Sequence, residues 1–262
     1  MRARAAGDVA PLVIPLAVAL IFVAAPWDVD SKLRLALSGL CAQRPGHSFF
    51  VDGAPLPLEA RMLGIFVGFA ASVLASWLAG GLRRTGLPRG LWAAAVLFMI
   101  AALVVDGLNA LFYDQGMPHL YVPLNELRLA TGLLCGVGLA ALIAPVISWA
   151  FWRDRETTPL FASAGDVART ALVLGGFALL VLSGAPGRLA LSLVALVGAV
   201  FSFWLVNTYI AVVLWQGAGM GEDWRDVAWS VAVGFLLTAG ELWALAALRG
   251  WAETSFGFVY SF

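Results

Sequence analysis

The sequence predicts an all-α integral membrane protein, a bundle of about seven transmembrane helices with a polar first loop on the extracytoplasmic side. Three observations lead there. Hydrophobic residues fill 61% of the 262 positions and charged residues only 12%, against about 25% charged in a soluble domain. Mean hydropathy is +0.90. The apolar residues fall in runs near the roughly 20 residues that a helix needs to cross a hydrocarbon core. Such runs are too long for strands, and lipid demands segments that satisfy their own backbone groups.

The 16 basic and 16 acidic residues cancel. No basic stripe stands out, which excludes nucleic acid as a partner. Two cysteines, Cys41 and Cys135, allow at most one bridge and have no zinc-motif spacing. The chain is expected to form one integral-membrane domain over 1–262.

The first apolar stretch runs from Val9 to Trp27. A basic start and Val23-Ala24-Ala25 give it some character of a signal peptide, but Pro26 after that site disfavours cleavage, so a retained helix is expected. Asp30 to Leu40 places Leu33, Leu37 and Leu40 at helical spacing with Lys32 and Arg34 elsewhere around the turn, the pattern of a helix lying in the membrane interface. The next stretches are Met62 to Gly80, Leu91 to Tyr113, Leu129 to Trp152 and Ala168 to Ala185, the last being the shortest. Ser183-Gly184-Ala185-Pro186-Gly187-Arg188 makes a tight turn into Leu189 to Trp215. Ala228 to Leu248 is the seventh. The tail carries Trp251, Phe256, Phe258, Tyr260 and Phe262; it either returns to the headgroup level, where aromatic residues settle, or is a loosely ordered end.

Orientation follows from Lys and Arg in short loops. Arg2 and Arg4, then Arg83, Arg84 and Arg89, then Arg153, Arg155 and Arg169 share one side if the N-terminus is cytoplasmic. Lys32, Arg34, Arg44 and Arg61 in the first loop oppose this. The expectation is a multi-pass protein of the inner membrane, N-terminus in and C-terminus out.

With that threading, the polar residues converge on one outer vestibule. His47 and His119 lie in its loops, Asp106 and Asn109 in the outer half of the third stretch, and Glu126 and Arg128 at the mouth of the fourth. Arg61 opens the second stretch and Glu241 falls in the outer half of the seventh. An ionisable residue inside an apolar run faces the bundle interior and marks function by default. A salt bridge from Asp106 to Arg128 or Arg61 is the plainer account of it, and Arg128 is the partner expected. Solvated or backbone-bonded roles are the plainer account of the histidines. Asn207 and Thr208 suit interhelical hydrogen bonding, and Gly132 with Gly136 forms a small-xxx-small pair for close helix packing.

Two blocks also carry a resemblance. Cys41, Gln43, Arg44, Pro45, Ser48, Phe49 and Phe50, closed by Arg61, Gly64, Ile65 and Gly68, form the first. Asp106-Gly107 and the Asn125 to Gly132 stretch form the second. Together they resemble an uncharacterised bacterial family of predicted integral membrane proteins whose first loop opens Cys-His-Gln-Arg-Pro and closes Cys-x-Arg-Cys-x-Gly. The family-like half is 30–138, with additional helices over 139–262. In the family, the extra cysteines and histidine would make a credible thiolate metal site. Here Ala42, Glu59 and Met62 stand in those places. Cys41, Glu59 and His47 could build only a harder mixed site, so no metal and no cofactor are expected.

The function these features favour is a non-catalytic membrane subunit or accessory protein of a larger complex, with lipid, quinone or pigment contacts through its 11 tryptophans and 16 phenylalanines. Two other readings stay open. One is a small transporter with an Asp106/Glu241 polar path. The other is a membrane-embedded enzyme on an outer-leaflet lipid, with Asp106, Glu126 and His119 as acid and base.

Overall fold

The computed structural model describes residues 10–257. Its helices are α1 (Ala10–Ala24), α2 (Val29–Ser38), α3 (Ala60–Leu78), α4 (Leu91–Asp114), α5 (Asn125–Phe151), α6 (Ala164–Ser183), α7 (Gly187–Trp215) and α8 (Trp224–Phe256). Among the described residues six helices, α3 to α8, are long and apolar enough to cross a membrane. The first expected span, α1, has 15 described residues with Pro15 inside, short of the roughly 20 a span requires. Val9 and the basic Arg2 and Arg4 lie outside the described residues.

The centre of the bundle is the α3–α5 pair. Of their apolar windows, 56% and 67% are buried, against 11% for α4. Glycines on both helices allow the contact. A Cβ on Gly64 would lie 2.6 Å from the Leu129 carbonyl oxygen, one on Gly68 2.6 Å from that of Leu133, and one on Gly136 2.5 Å from that of Ile65. Backbone therefore lies against backbone, the arrangement small residues permit between spanning helices. One core joins α3 and α5 to α6 and α7 through Leu63, Leu133, Phe177 and Leu191. A second, around Phe151, Trp152 and Leu205, closes the far end.

Contacts between loops define two ends. At the first-loop end, Arg44 reaches Asp114, Asn125 reaches the Ser48 carbonyl, and Asp52 accepts from the Arg188 backbone N–H. At the opposite end, β3 (Arg84–Gly86) pairs in parallel with β4 (Glu156–Pro159), and Arg83 bridges to Asp154 and to the Glu222 carbonyl.

Local chemistry moves several boundaries. Ser163 and Asp166 form a capping box, so α6 starts at Ala164 rather than Ala168. Gly184 ends it in the left-handed conformation, as the turn sequence predicts. The stretch expected from Leu129 starts at Asn125. β1 (Phe50–Val51) and β2 (Ala54–Pro55) form a hairpin inside the first loop. Asp52 and Gly53 both take positive φ there, the type I′ signature of an Asp-Gly turn.

Two expectations are corrected. Helix α2 exists, N-capped by Asp28, but it does not lie out in the interface with its leucines in lipid. Leu33 and Leu37 are fully buried, and Leu37 packs with Leu56, Leu58 and Leu63. The tail does not turn back at Trp251, because α8 continues through Phe256, with Trp251 and Phe256 edge to face at 5.8 Å. Phe258, Tyr260 and Phe262 lie outside the described residues.

Candidate functional site

The polar cluster at the first-loop end grows from the α3–α5 contact. Because the two backbones touch, Arg61 in the first turn of α3 comes level with Thr131, in the second turn of α5. Helix α4 packs against α5 and presents Asp106 to both. The Asp106 side chain is 1% exposed. Its carboxylate accepts from Arg61 Nη2 at 2.5 Å, from the Tyr121 hydroxyl at 2.9 Å and from Thr131 Oγ1 at 3.3 Å. Burial, then the neighbouring carboxylate, pushes the Tyr121 hydroxyl up to about 12, so it remains a donor at any physiological pH. Asn109, one turn on, holds the loop in place. It donates to the Tyr121 carbonyl and accepts from the backbone N–H groups of Leu120 and Tyr121.

The expected Asp106–Arg128 pair is therefore replaced by Asp106–Arg61. Arg128 points into the first loop instead, donating to Asn125 Oδ1 at 2.7 Å and to the Gly46 carbonyl at 3.4 Å. Asn125 in turn donates to the Ser48 carbonyl. Both residues thus hold the turn that carries His47.

His47 lies between two carboxylates, with Nδ1 3.9 Å from Glu59 and Nε2 3.5 Å from Asp114. Arg44 occupies the same two acids at 3.2 and 3.1 Å. Burial, with the Arg128 and Arg44 guanidiniums adding, holds His47 below the usual histidine range, against Glu59 and Asp114. The imidazole is thus neutral near pH 7, and the two contacts are those of an uncharged ring. Its Nδ1 is buried without a hydrogen-bond partner.

The rest of the Cys41–Ser48 motif is held by α8. Arg249 donates to the carbonyls of Ser38, Cys41 and Ala42 at 2.8 to 3.0 Å. Gln43, left-handed with φ 56°, is buried and donates to the carbonyls of Arg34 and Pro57. Pro45 opens a single 3-10 turn. Ser48 closes it by donating to the Arg44 carbonyl, and Phe49 packs against the core. Burial pushes the Cys41 thiol up, outweighing the backbone N–H of Glu59 that lowers it, so it is a protonated thiol rather than a thiolate ligand or nucleophile. Among the described residues no group of three or more His, Cys, Asp or Glu side chains is disposed to hold a metal ion.

Three residues expected in the vestibule are elsewhere. His119 is exposed, with Nδ1 against the Met117 carbonyl and its ring edge-on to Tyr113. Glu126 is exposed in the first turn of α5, where its charge favours the positive helix end. Glu241 is a separate site, because α8 is longer at both ends than its apolar run and places Glu241 in its middle. There it accepts from Asn207 on α7 at 2.8 Å, and Asn207 also donates to Thr238. Tyr121, Thr131, Asp114 and Arg249 complete the cluster without having been singled out in the sequence. A tyrosine following a polar helix end was the one available signal.

Residues 41–142 match the model of a family described as "Predicted membrane protein (DUF2085)". No curated protein and no solved structure matches the chain. The matched segment is less than half of the chain, yet it holds α3, α4, most of α5 and the cluster's side chains from Gln43 to Thr131, so the similarity to a family of predicted membrane proteins falls on the stretch that builds the polar end and the helix pair beneath it.

Proposed function

We propose that the protein is a non-catalytic subunit or accessory component of a larger complex in the bacterial inner membrane, docking through the α7–α8 side of the bundle. The observation that carries this is Glu241. Its carboxylate sits inside a spanning helix, is exposed, and has one hydrogen-bond donor, Asn207. A charged residue facing lipid at that depth costs about 2.5–3.5 kcal/mol on insertion scales. A neighbouring subunit's helix bearing a donor would offset the cost. Gly240 and Ala244 beside it are exposed too, and a Cβ on Gly240 would meet nothing, so a second helix can approach closely.

The first-loop cluster supports the same reading. Asp106, Glu59, Asp114 and Arg249 are all engaged by groups of the chain itself, which suits a brace for loops better than a substrate site. A transporter path would link Asp106 to Glu241, but separate sets of partners hold them on α4 and α8. The acid–base set of an enzyme would bring Asp106, Glu126 and His119 together, and each has its own surroundings.

The same reading takes the N-terminus as cytoplasmic. Arg44, Arg61, Arg128 and Arg249 at the first-loop end are spent on acids and carbonyls. Arg153 and Arg169 at the opposite end pair with Glu222 and Asp166 yet remain 72% and 43% exposed, and solvent-facing basic residues in these loops support that end as the cytoplasmic one.

A photo-reactive amino acid at Ala244, one turn from Glu241, tests the docking reading in native membranes. A discrete adduct with one other membrane protein, lost on Glu241→Leu, is expected. Adducts to lipid alone would overturn it, and an adduct of twice the chain's mass would make the partner a second copy.

A further inference from the structure

Next to the Asn207–Thr238 contact lies a second feature, independent of that docking reading. A groove of about 670 Å³ runs between α1, α7 and α8, a volume within the 300–1,000 Å³ range of small-molecule sites. Phe22, Trp204, Phe235 and Leu242 are among its walls. On α8 it extends from Phe235 to Ala247, about 18 Å at 1.5 Å per residue, a little over half of the roughly 30 Å hydrocarbon core. It is therefore as deep as one leaflet. The α2 segment closes its first-loop end, since Gly39 abuts Leu245 and Ala246.

That end carries the one cation among the described residues that line the groove. Lys32 lines it, is nine-tenths buried, and donates from Nζ to the Val23 carbonyl at 2.7 Å. Val23 belongs to the last turn of α1, so the ammonium caps that helix end. The helix end supplies only about half a negative charge, and two of the three ammonium N–H donors remain. The acids nearby are committed elsewhere: Asp28 to Ser31, and Asp30 to Arg34 and Arg188. Thr238, the other polar residue of the lining, donates to the Gly234 carbonyl and accepts from Asn207.

An apolar slot one leaflet deep with an unneutralised cation at its interfacial end has the form of an acidic phospholipid. We propose that this groove binds one such lipid from the leaflet at the first-loop end, its phosphate at Lys32 and an acyl chain along α1, α7 and α8. A zwitterionic lipid fills the slot equally well but brings its own amine, which leaves the Lys32 charge unmatched.

The test is native mass spectrometry of the delipidated, full-length protein with phosphatidylglycerol and phosphatidylcholine of identical chains. The wild type should retain one phosphatidylglycerol about fivefold more tightly, the factor expected of a single lysine near an anionic headgroup. Lys32→Gln should equalise the two lipids and Lys32→Arg should keep the preference. Ala247→Trp, which fills the groove from an exposed position, should weaken both. Equal binding by the wild type, or a preference that survives Lys32→Gln, would overturn the proposal. So would stabilisation by inorganic phosphate alone equal to that from the lipid, because the groove would then be irrelevant.

Discussion

Replacing Asp106 by Asn keeps its shape and removes its charge, and the surroundings set the consequence. The side chain is 1% exposed and three donors converge on it. The amide would turn an N–H toward one of those donors and leave the Arg61 guanidinium without its counter-ion. Breaking a buried ion pair from one side costs about 3–5 kcal/mol. Arg61 is 21% exposed, which lets water reach its charge and places the expected loss near the lower limit, about 3 kcal/mol. Arg61→Gln leaves the carboxylate with its two hydroxyl donors, so it should cost about 2 kcal/mol, the worth of one charge-assisted hydrogen bond. The double variant should lose about 3 kcal/mol rather than 5, a coupling of about 2 kcal/mol. Reversible unfolding in mixed micelles, followed by circular dichroism, measures all three. The same cycle with Arg128→Gln should be additive within about 0.5 kcal/mol, because Arg128 is held by Asn125 and Gly46. Additive losses for Asp106 and Arg61, with strong coupling for Asp106 and Arg128, would refute the assignment of partners.

Gly132→Ala would drive a Cβ into the Arg61 carbonyl and should cost about 1–3 kcal/mol by overpacking, whereas Gly240→Ala, which meets open space, should stabilise by about 0.5–1 kcal/mol through helix propensity; unfolding in micelles compares the two. His47 is a base whose folded pKa lies below its unfolded value, so the folded state disfavours the proton. Stability should be highest above the unfolded pKa of about 6.5 and should fall as pH drops from there through the folded pKa; His47→Gln should flatten that slope in a pH series of unfolding midpoints. Arg249→Gln releases three backbone carbonyls of the 38–42 segment, and the reaction of Cys41 with a small thiol reagent should accelerate by about tenfold for each 1.4 kcal/mol of lost closure. An unchanged rate would mean that the segment is held by Gln43 alone.

Much of the bundle was readable because membrane burial is written in run length, and the six long helices coincide with apolar runs. Their ends were less readable, since caps decide them: Ser163 and Asp223 start α6 and α8 several residues before the hydrophobic signal does. The extension of α8 from Leu248 to Phe256 is why Glu241, expected near the vestibule, lies in mid-helix. Gly132 and Gly136 announced a close contact, but the identity of the partner helix, α3 with Gly64 and Gly68, required the fold. The same contact selected Arg61 over Arg128 for Asp106. Both arginines stand within a turn of a helix start, and one-dimensional depth cannot choose between them. His47 was legible as an unusual residue in the first loop, whereas its neighbour Asp114 comes from the far end of α4, and Arg249, which holds the preceding segment, comes from the distant α8. The Asp-Gly of the hairpin was a clear turn signal that the surrounding polar motif obscured.

The mass of the native particle tests the proposed role most directly. The tagged chain would be released from its own membranes into lipid nanodiscs or a mild detergent, and its particle mass determined for wild type and Glu241→Leu side by side. An accessory subunit predicts a stoichiometric particle heavier than the 27.7 kDa chain and its bound lipid, containing a second membrane protein, and a shift of the variant toward the free chain. A wild-type protein found only as the 27.7 kDa chain with lipid, indistinguishable from the variant, would contradict the account.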